Sequence, residues 1–248
     1  MTDSVLGLLG FGLTFLAVMV VVGAAFVYRK NLPPLRVIPS FGRLHQAIGR
    51  VVEDGSRLHV SLGRGMLITP QSASAFAGLT LLRRLANLTV MSDRPPVTVS
   101  GDPALTLLAQ DTLWNVAREA NLPYDPTAAR LGGMTPFSYA AGSIPSILHE
   151  NVSAVVLIGN FGPEAALLAD AAERSQAFCI AGSDNLTAQS ILYAAAQEPL
   201  IGEELYASGA YIEPTTLHAV SLMAQDVLRW LLIVAMIGGS VLTLIGVL

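Results

Sequence analysis

The pattern of apolar and polar positions divides the chain into two apolar ends and a mixed middle. The segment 5–28 contains no charged residue, and the final segment 230–248 is also uncharged. A helix of about 20 apolar residues is long enough to cross the hydrocarbon core of a bilayer. The pattern therefore predicts two transmembrane helices at these positions, with a short extracytoplasmic tail at residues 1–4.

A cleavable signal peptide is the alternative interpretation of the first apolar segment, because that segment lies at the N terminus. The four residues before it contain Asp3 and no lysine or arginine, and the apolar run is longer than the apolar core of a signal peptide. We therefore expect a retained anchor.

Between the two ends, residues 58–213 have the pattern of an α/β domain. Short apolar runs at 58–63, 97–101, 154–158 and 177–181 are each followed by glycine or serine turns and then by a helical pattern. Strand, helix and strand in this order are typical of parallel sheets.

The order of strand and helix repeats within the domain. The first half, 58–122, and the second half, 153–213, each read as βαβα. We therefore predict the α/β fold class: a Rossmann-like parallel sheet built from two βαβα halves and flanked by one transmembrane helix at each terminus. Prolines favour the first position of a helix, and Pro70, Pro103 and Pro163 mark three predicted helix starts.

Two connections have less regular patterns. Residues 123–152 join the halves and are rich in glycine, proline and serine, so we expect short helices at 136–141 and 145–150. Residues 198–214 are predicted to form a similar loop. From Pro214 a helical pattern continues without a breaker into the second span, which predicts one long helix over 214–248.

Residues 29–57 form a basic linker followed by an amphipathic helix. This helix either packs on the sheet as the first helix of the domain or lies on anionic lipid head groups. Five cations lie between the first span and Glu53, which is the first acidic residue after that span, and these cations are Arg29, Lys30, Arg36, Arg43 and Arg50. By the positive-inside rule, the domain is expected in the cytoplasm, with both termini on the other side of the cell (inner) membrane.

Composition makes several functions improbable. The net charge of −4 and the lack of a basic stripe argue against nucleic-acid binding. Neither a dinucleotide fingerprint nor a P-loop is present, and the only lysine is Lys30. The four histidines lie far apart and Cys179 is the only cysteine, so we expect no metal site, no disulfide and no cofactor.

A ligand-binding site, if the domain has one, is expected at the carboxyl ends of the strands, because open parallel sheets bind ligands there. Small polar residues follow four predicted strands, and backbone N–H groups at the helix starts can hold an anion. The candidates are Ser61, Gly63, Arg64, Gly65, Ser100, Gly101, Asp102, Gly159, Asn160, Gly162, Gly182, Ser183, Asp184 and Asn185.

Three of these candidates also have structural interpretations. Asp102 and Asp184 hold equivalent places in the repeat, so they form either a pair of carboxylates or two helix N-caps, and the caps are favoured. Arg64 either binds a phosphate or carboxylate group or is a surface or salt-bridged arginine, and the second interpretation is favoured. We assign no catalytic residue.

Several phrases resemble a family of uncharacterised prokaryotic membrane proteins that is defined by a domain of unknown function. The phrases are SDRPP at 92–96, TPFSYAAG at 135–142, LIGNFGPEAALLADAAER at 157–174, AGSDN at 181–185 and EPLIGEELYASGAY at 198–211. The resemblance covers most of the domain and implies no catalytic residues.

Two hypotheses for the function follow. The first is a non-catalytic, membrane-anchored scaffold or accessory subunit that forms homo-oligomers, with a larger membrane complex as a further expectation. The alternative is a membrane-tethered enzyme or sensor that binds a small anionic metabolite or nucleotide at the strand ends. The alanine-rich, charge-poor helices favour the first hypothesis, because such surfaces suit close contact between subunits.

Overall fold

The structure is a computed structural model, and it describes residues 2–28, 35–68 and 72–244. The chain divides into two units. One unit is the α/β domain, Ile38–Glu213, and the other consists of the terminal segments before and after it. The first of these units includes the amphipathic helix.

The domain is built on a six-stranded parallel sheet with the strand order β3-β2-β1-β4-β5-β6. This order confirms the predicted Rossmann-like sheet. The central pair joins the first strands of the two predicted halves. The strands are β1 Arg57–Gly63, β2 Val97–Ser100, β3 Ala129–Leu131, β4 Val152–Asn160, β5 Phe178–Ser183 and β6 Glu198–Leu200.

Helices cover both faces of the sheet, as expected for parallel strands. The helices are α1 Thr2–Val27, α2 Pro39–Glu53, α3 Ser72–Thr89, α4 Pro103–Glu119, α5 Pro136–His149, α6 Ala165–Arg174, α7 Leu186–Ala195, α8 Glu204–Ile212 and α9 Thr216–Leu244. Residues of α2, α3, α4 and α8 belong to one core cluster, and residues of α5, α6 and α7 belong to a second. Alternate residues of β4 enter the two clusters: Val156 and Ile158 the first, Val155 and Leu157 the second.

The amphipathic helix α2 packs in the core of the domain, which is the first of its two predicted placements. Its apolar residues Phe41, Leu44, Ile48 and Val51 are buried. Because this apolar face is covered by protein, it is not free to enter a lipid surface.

Both irregular connections contain more regular structure than predicted. The first holds β3 and one continuous helix, α5, in place of two short helices. A capping box between Thr135 and Ser138 begins α5, and burial of Tyr139 and Ile147 on the sheet holds the helix together across Pro145. The second connection, predicted as a loop, contains β6 and α8.

The helix starts agree in part with the predictions. Pro103 opens α4 as expected. Helix α6, by contrast, begins at Ala165, because Pro163 and Glu164 form a turn before it. The predicted start of α3 at Pro70 lies outside the described residues.

The terminal segments form two long helices. Within α1 the stretch Gly10–Val27, and within α9 the stretch His218–Val241, are long and apolar enough to cross a membrane. Helix α9 is unbroken from Thr216 through its apolar stretch, as predicted. Residues 1, 29–34 and 245–248 lie outside the described residues.

Helices α1 and α9 contact each other. The glycines of the two helices lie away from this contact. At Gly10, Gly12, Gly238 and Gly239, no heavy atom lies within 4 Å of the position that a Cβ would occupy, apart from the glycine's chain neighbours and its own helix backbone.

Candidate functional site

The predicted site residues lie along one edge of the sheet. The strands are parallel, so their carboxyl ends share that edge, and the direction of strand order reverses between β1 and β4. Each predicted residue lies in β1, β2, β4 or β5 or within two residues of the strand's end. The edge therefore brings together Ser61, Gly63, Arg64, Gly65, Ser100, Gly101, Asp102, Gly159, Asn160, Gly162, Gly182, Ser183, Asp184 and Asn185.

An ion pair crosses the reversal point. Arg64 follows β1, and its Nε donates to Glu164 Oε1 at 2.7 Å. The Gly162 N–H donates to the same oxygen at 2.9 Å. The Glu164 side chain is 0% exposed and the Arg64 side chain is 23% exposed, so a buried carboxylate is held by a partly exposed arginine. Of the two structural interpretations of Arg64, a surface residue or a salt bridge, the structure shows the salt bridge.

Two predicted glycines provide the space that this ion pair occupies. A Cβ at Gly101 would lie 2.4 Å from Arg64 Cγ, and a Cβ at Gly162 would lie 2.6 Å from Glu164 Oε2. Separations below 3.0 Å force one of the atoms to move. These glycines therefore accommodate side chains of the protein itself.

The buried phenol of Tyr139, on α5, connects β1 and β2. Its hydroxyl lies 2.6 Å from Ser61 Oγ, accepts from the Gly63 N–H at 3.1 Å, and donates to the Val99 carbonyl at 3.3 Å. Burial raises the pKa of Tyr139 to about 12, although the hydrogen bonds with Ser61 and Gly63 oppose the shift. The phenol therefore stays protonated and acts as a structural bridge at neutral pH.

Asp184 holds a second polar group together at the same edge. Its carboxylate accepts from Ser74 Oγ and from Asn160 Nδ2, each at 2.7 Å. Beside it, Ser183 Oγ accepts from the Phe161 N–H at 3.1 Å. This arrangement joins β4, β5 and α3.

The two aspartates of the apparent repeat have different roles, which corrects the favoured prediction for one of them. Asp102 is an N-cap, because its side chain accepts from the Leu105 N–H at 2.9 Å. Asp184 is not a cap; Asn185 takes that role by accepting from the Thr187 N–H. The two carboxylates thus have separate partners.

Other predicted residues are also engaged within the fold. Ser100 Oγ lies 2.6 Å from Thr106 Oγ1 and donates to the Asp102 carbonyl oxygen. Gly65 is buried in the turn after Arg64. A Cβ at Gly182 would lie 3.0 Å from Leu200 Cβ, so this glycine allows close packing between β5 and β6.

A cluster of charged residues at the amino ends of the strands was not predicted. Glu150 forms ion pairs with Arg57 and with Arg130, and Arg57 also lies 3.8 Å from Asp125. Burial raises the pKa of Glu150, but the hydrogen bonds and charges of the two arginines outweigh it, so the pKa lies below its usual value. These ion pairs connect β1 and β3 with the end of α5.

His59 lies in the middle of β1 and is completely buried. Its Nδ1 is 3.1 Å from Ser146 Oγ, and its Nε2 has no hydrogen-bond partner among the described residues. Burial lowers the pKa of His59 to about 3, so the imidazole is neutral in the folded protein.

Three residues that organise the edge were missed by the sequence analysis: Tyr139, Glu164 and Ser74. Glu164 follows a glycine and a proline at a predicted helix start, where an acidic residue is a signal of local hydrogen bonding. Tyr139 and Ser74 carry no comparable local signal. Within the described part of the chain, no group of three His, Cys, Asp or Glu residues is placed to hold a metal ion.

Few of the described polar side chains at the carboxyl ends of the strands are available to bind a ligand. The described polar side chains are mostly paired with one another, with Glu164 Oε2 as a buried exception. A cavity with a volume of about 230 Å³ lies at the opposite edge of the sheet, between α3 and α4.

A family model described as a domain of unknown function (DUF6754) matches residues 6–248. No curated protein matches the chain. No solved structure matches it either.

Proposed function

The chain belongs to the DUF6754 family, which is defined by a domain of unknown function, and from that premise we propose that it is a non-catalytic, membrane-anchored scaffold or accessory subunit that self-associates. The observation that carries the proposal is the internal pairing at the strand ends. Arg64 is bound to Glu164, Asp184 to Ser74 and Asn160, and Asp102 to the start of α4. A ligand at this edge would have to compete with those bonds.

Exposed apolar side chains at the same edge support a role in protein contact. They lie in the segments that follow strands β1, β3, β5 and β6, where a soluble domain usually presents polar residues. We call this set the apolar rim, and it consists of Ile68, Met134, Phe137, Leu186 and Ile201.

The proposed binding partner of the apolar rim is a second copy of the chain. Two apolar terminal helices would hold all copies in one plane, which raises their local concentration and favours contacts between equivalent surfaces. The glycines of α1 and α9 that face no neighbouring side chain would offer a further contact surface within the bilayer.

The proposed location is the inner membrane, with the domain in the cytoplasm and both termini outside. Five cations in residues 29–50 follow the first apolar segment, and no acidic residue lies between that segment and Glu53. Such an excess marks the cytoplasmic side of a span.

A labelling experiment tests this orientation. Ser190 is exposed on α7, and Cys179, the only native cysteine, is buried with its pKa raised to about 12 by that burial. We expect a Ser190→Cys variant to react with a membrane-impermeant maleimide in inverted vesicles and not in intact cells, and the wild-type chain to remain unlabelled in both. Labelling of the variant in intact cells would contradict the orientation.

A pair of substitutions tests the role of the apolar rim. Leu186 and Met91 are each 80% exposed, but Leu186 belongs to the rim and Met91 lies before β2, at the opposite edge. We expect Leu186→Ser combined with Phe137→Ser to reduce cross-linking between copies in native membranes several-fold. Met91→Ser should leave cross-linking unchanged. Equal cross-linking in all three proteins would refute self-association through the rim.

A further inference from the structure

The 230 Å³ cavity lies between α3 and α4, at the amino ends of β2 and β3. It is separate from the strand ends, because the segments that line it precede these strands. Much of its wall is apolar and includes Ala86, Leu113, Val116, Ala117 and Leu122. The cavity therefore resembles a small-molecule pocket, in which an apolar wall is combined with a few polar groups.

The volume sets the size of an occupant. An apolar cavity of about 150 Å³ in another protein is large enough to hold benzene. A cavity of about 230 Å³ can thus hold one ring with a short side chain. Only a part of this size of a larger molecule, such as a nucleotide, would be enclosed by it.

The charges of the lining select among small molecules. The lining contains two carboxylates, from Asp93 and Asp125, and no lysine, arginine or histidine. Asp125 is already engaged, because it accepts from the N–H and the hydroxyl of Thr127 and lies 3.8 Å from Arg57. Asp93 forms no hydrogen bond or ion pair with any residue that the structure describes, so one carboxylate of the lining is free to bind a cation.

Two lining residues have hydroxyl groups with unused hydrogen-bonding capacity. Ser92 Oγ and Tyr124 Oη are buried and have no partner among the described residues. An unpartnered buried hydroxyl costs free energy, and a bound polar group can recover part of that cost after a small shift of either side chain. Burial, with a smaller contribution from Asp125, raises the pKa of Tyr124, so its phenol remains neutral.

We propose that this cavity binds a small organic amine in its protonated form, with a compact apolar body in the Ala86–Leu113–Ala117 wall and its ammonium group at Asp93. An anion would be repelled by Asp93 and Asp125. A neutral alcohol would use the hydroxyl groups and leave the Asp93 carboxylate without a counterion. This site is independent of self-association through the apolar rim, so either proposal can fail alone.

Three probes that share a phenyl ring and have similar lengths test the proposal: 2-phenylethylamine, 2-phenylethanol and phenylacetate. Binding is measured by ligand-observed NMR on the full chain in lipid nanodiscs, with empty nanodiscs subtracted. We expect saturable binding of the amine, about tenfold weaker binding of the alcohol, and no saturable binding of phenylacetate. A charge-assisted hydrogen bond is strong enough to produce this order.

Variants separate the contributions of charge and volume. Asp93→Asn should weaken amine binding about tenfold and leave alcohol binding unchanged, whereas Ala117→Leu should abolish binding of both by filling the cavity. Asp111→Asn, on the exposed side of α4, is the matched control and should leave binding of all probes unchanged. Because Asp93 is exposed, its substitution tests the site even if Ala117→Leu destabilises the fold.

Three results would overturn the proposal. The first is the absence of saturable amine binding to the wild-type protein. The second is equal affinity for the amine in wild type and Asp93→Asn. The third is binding of phenylacetate as tight as that of the amine.

Discussion

The Arg64–Glu164 ion pair depends on the absence of a side chain at Gly101. In a Gly101→Ala variant, the new Cβ would lie 2.4 Å from Arg64 Cγ, so the arginine must move away from the buried carboxylate. Weakening a buried ion pair and overpacking its surroundings both destabilise a protein, and we expect a loss of about 2 kcal/mol in the free energy of unfolding.

Urea unfolding of the full chain measures this loss, with Trp114 as the reporter in a Trp230→Phe background, since these are the two tryptophans. The cost of Gly101→Ala should be smaller when Arg64 is already alanine. Gly49→Ala, on an open part of α2 where no such contact exists, is the control and should not destabilise the protein. If Gly101→Ala lowered the free energy of unfolding equally with Arg64 present and with Arg64→Ala, displacement of the ion pair would not be the cause of the loss.

His59 gives the stability of the domain a defined pH dependence. Its pKa is about 3 in the folded protein, against 6.5 for an unperturbed imidazole. Between these two values the unfolded chain binds a proton that the folded protein does not. The free energy of unfolding therefore falls as the pH falls through this window, by up to about 1.4 kcal/mol per pH unit from this residue.

A His59→Asn variant should show a shallower slope of unfolding free energy against pH between about pH 4 and 6. The same urea titration, repeated at several pH values, measures that slope. His149→Asn, at the exposed end of α5, is the comparison for loss of an imidazole elsewhere. If the unfolding free energy of His59→Asn changed with pH as steeply as that of the wild type, the buried imidazole of His59 would not be the cause of the pH dependence.

At the scale of secondary-structure elements, long periodic patterns were predictable and short elements were not. Strands β1, β2, β4 and β5 follow from apolar runs that end at glycine or serine turns. Strands β3 and β6 have three residues each, too few for a periodic signal, and exist because neighbouring strands complete their hydrogen bonds. Helix α5 continues through Pro145 because its buried face packs on the sheet, which outweighs the local preference to break.

The location of the candidate site was predictable from the sequence, but the hydrogen-bond and ion-pair partners of its side chains were not. A local pattern indicates that polar residues follow each strand. It does not show that Arg64 would meet Glu164, 100 residues away, or that Ser61 would meet Tyr139, 78 residues away. These contacts depend on the strand order, which only the three-dimensional structure gives.

At the scale of the whole molecule, the two ends of the α/β domain lie close together. The ring of Phe41, near the start of the domain, stacks on the ring of Tyr211, near its end, with 4.8 Å between ring centroids. The chain on each side of this domain contains a helix that is long and apolar enough to cross a membrane, and the proposed function builds on attachment there.

The most direct test of self-association is the mass of the protein extracted from its native membrane in polymer nanodiscs and measured by native mass spectrometry. The chain has a mass of 26.1 kDa. We expect particles that contain two or more copies of it, with or without other subunits. Particles that contain a single copy, across the concentrations found in the membrane, would contradict the proposed scaffold.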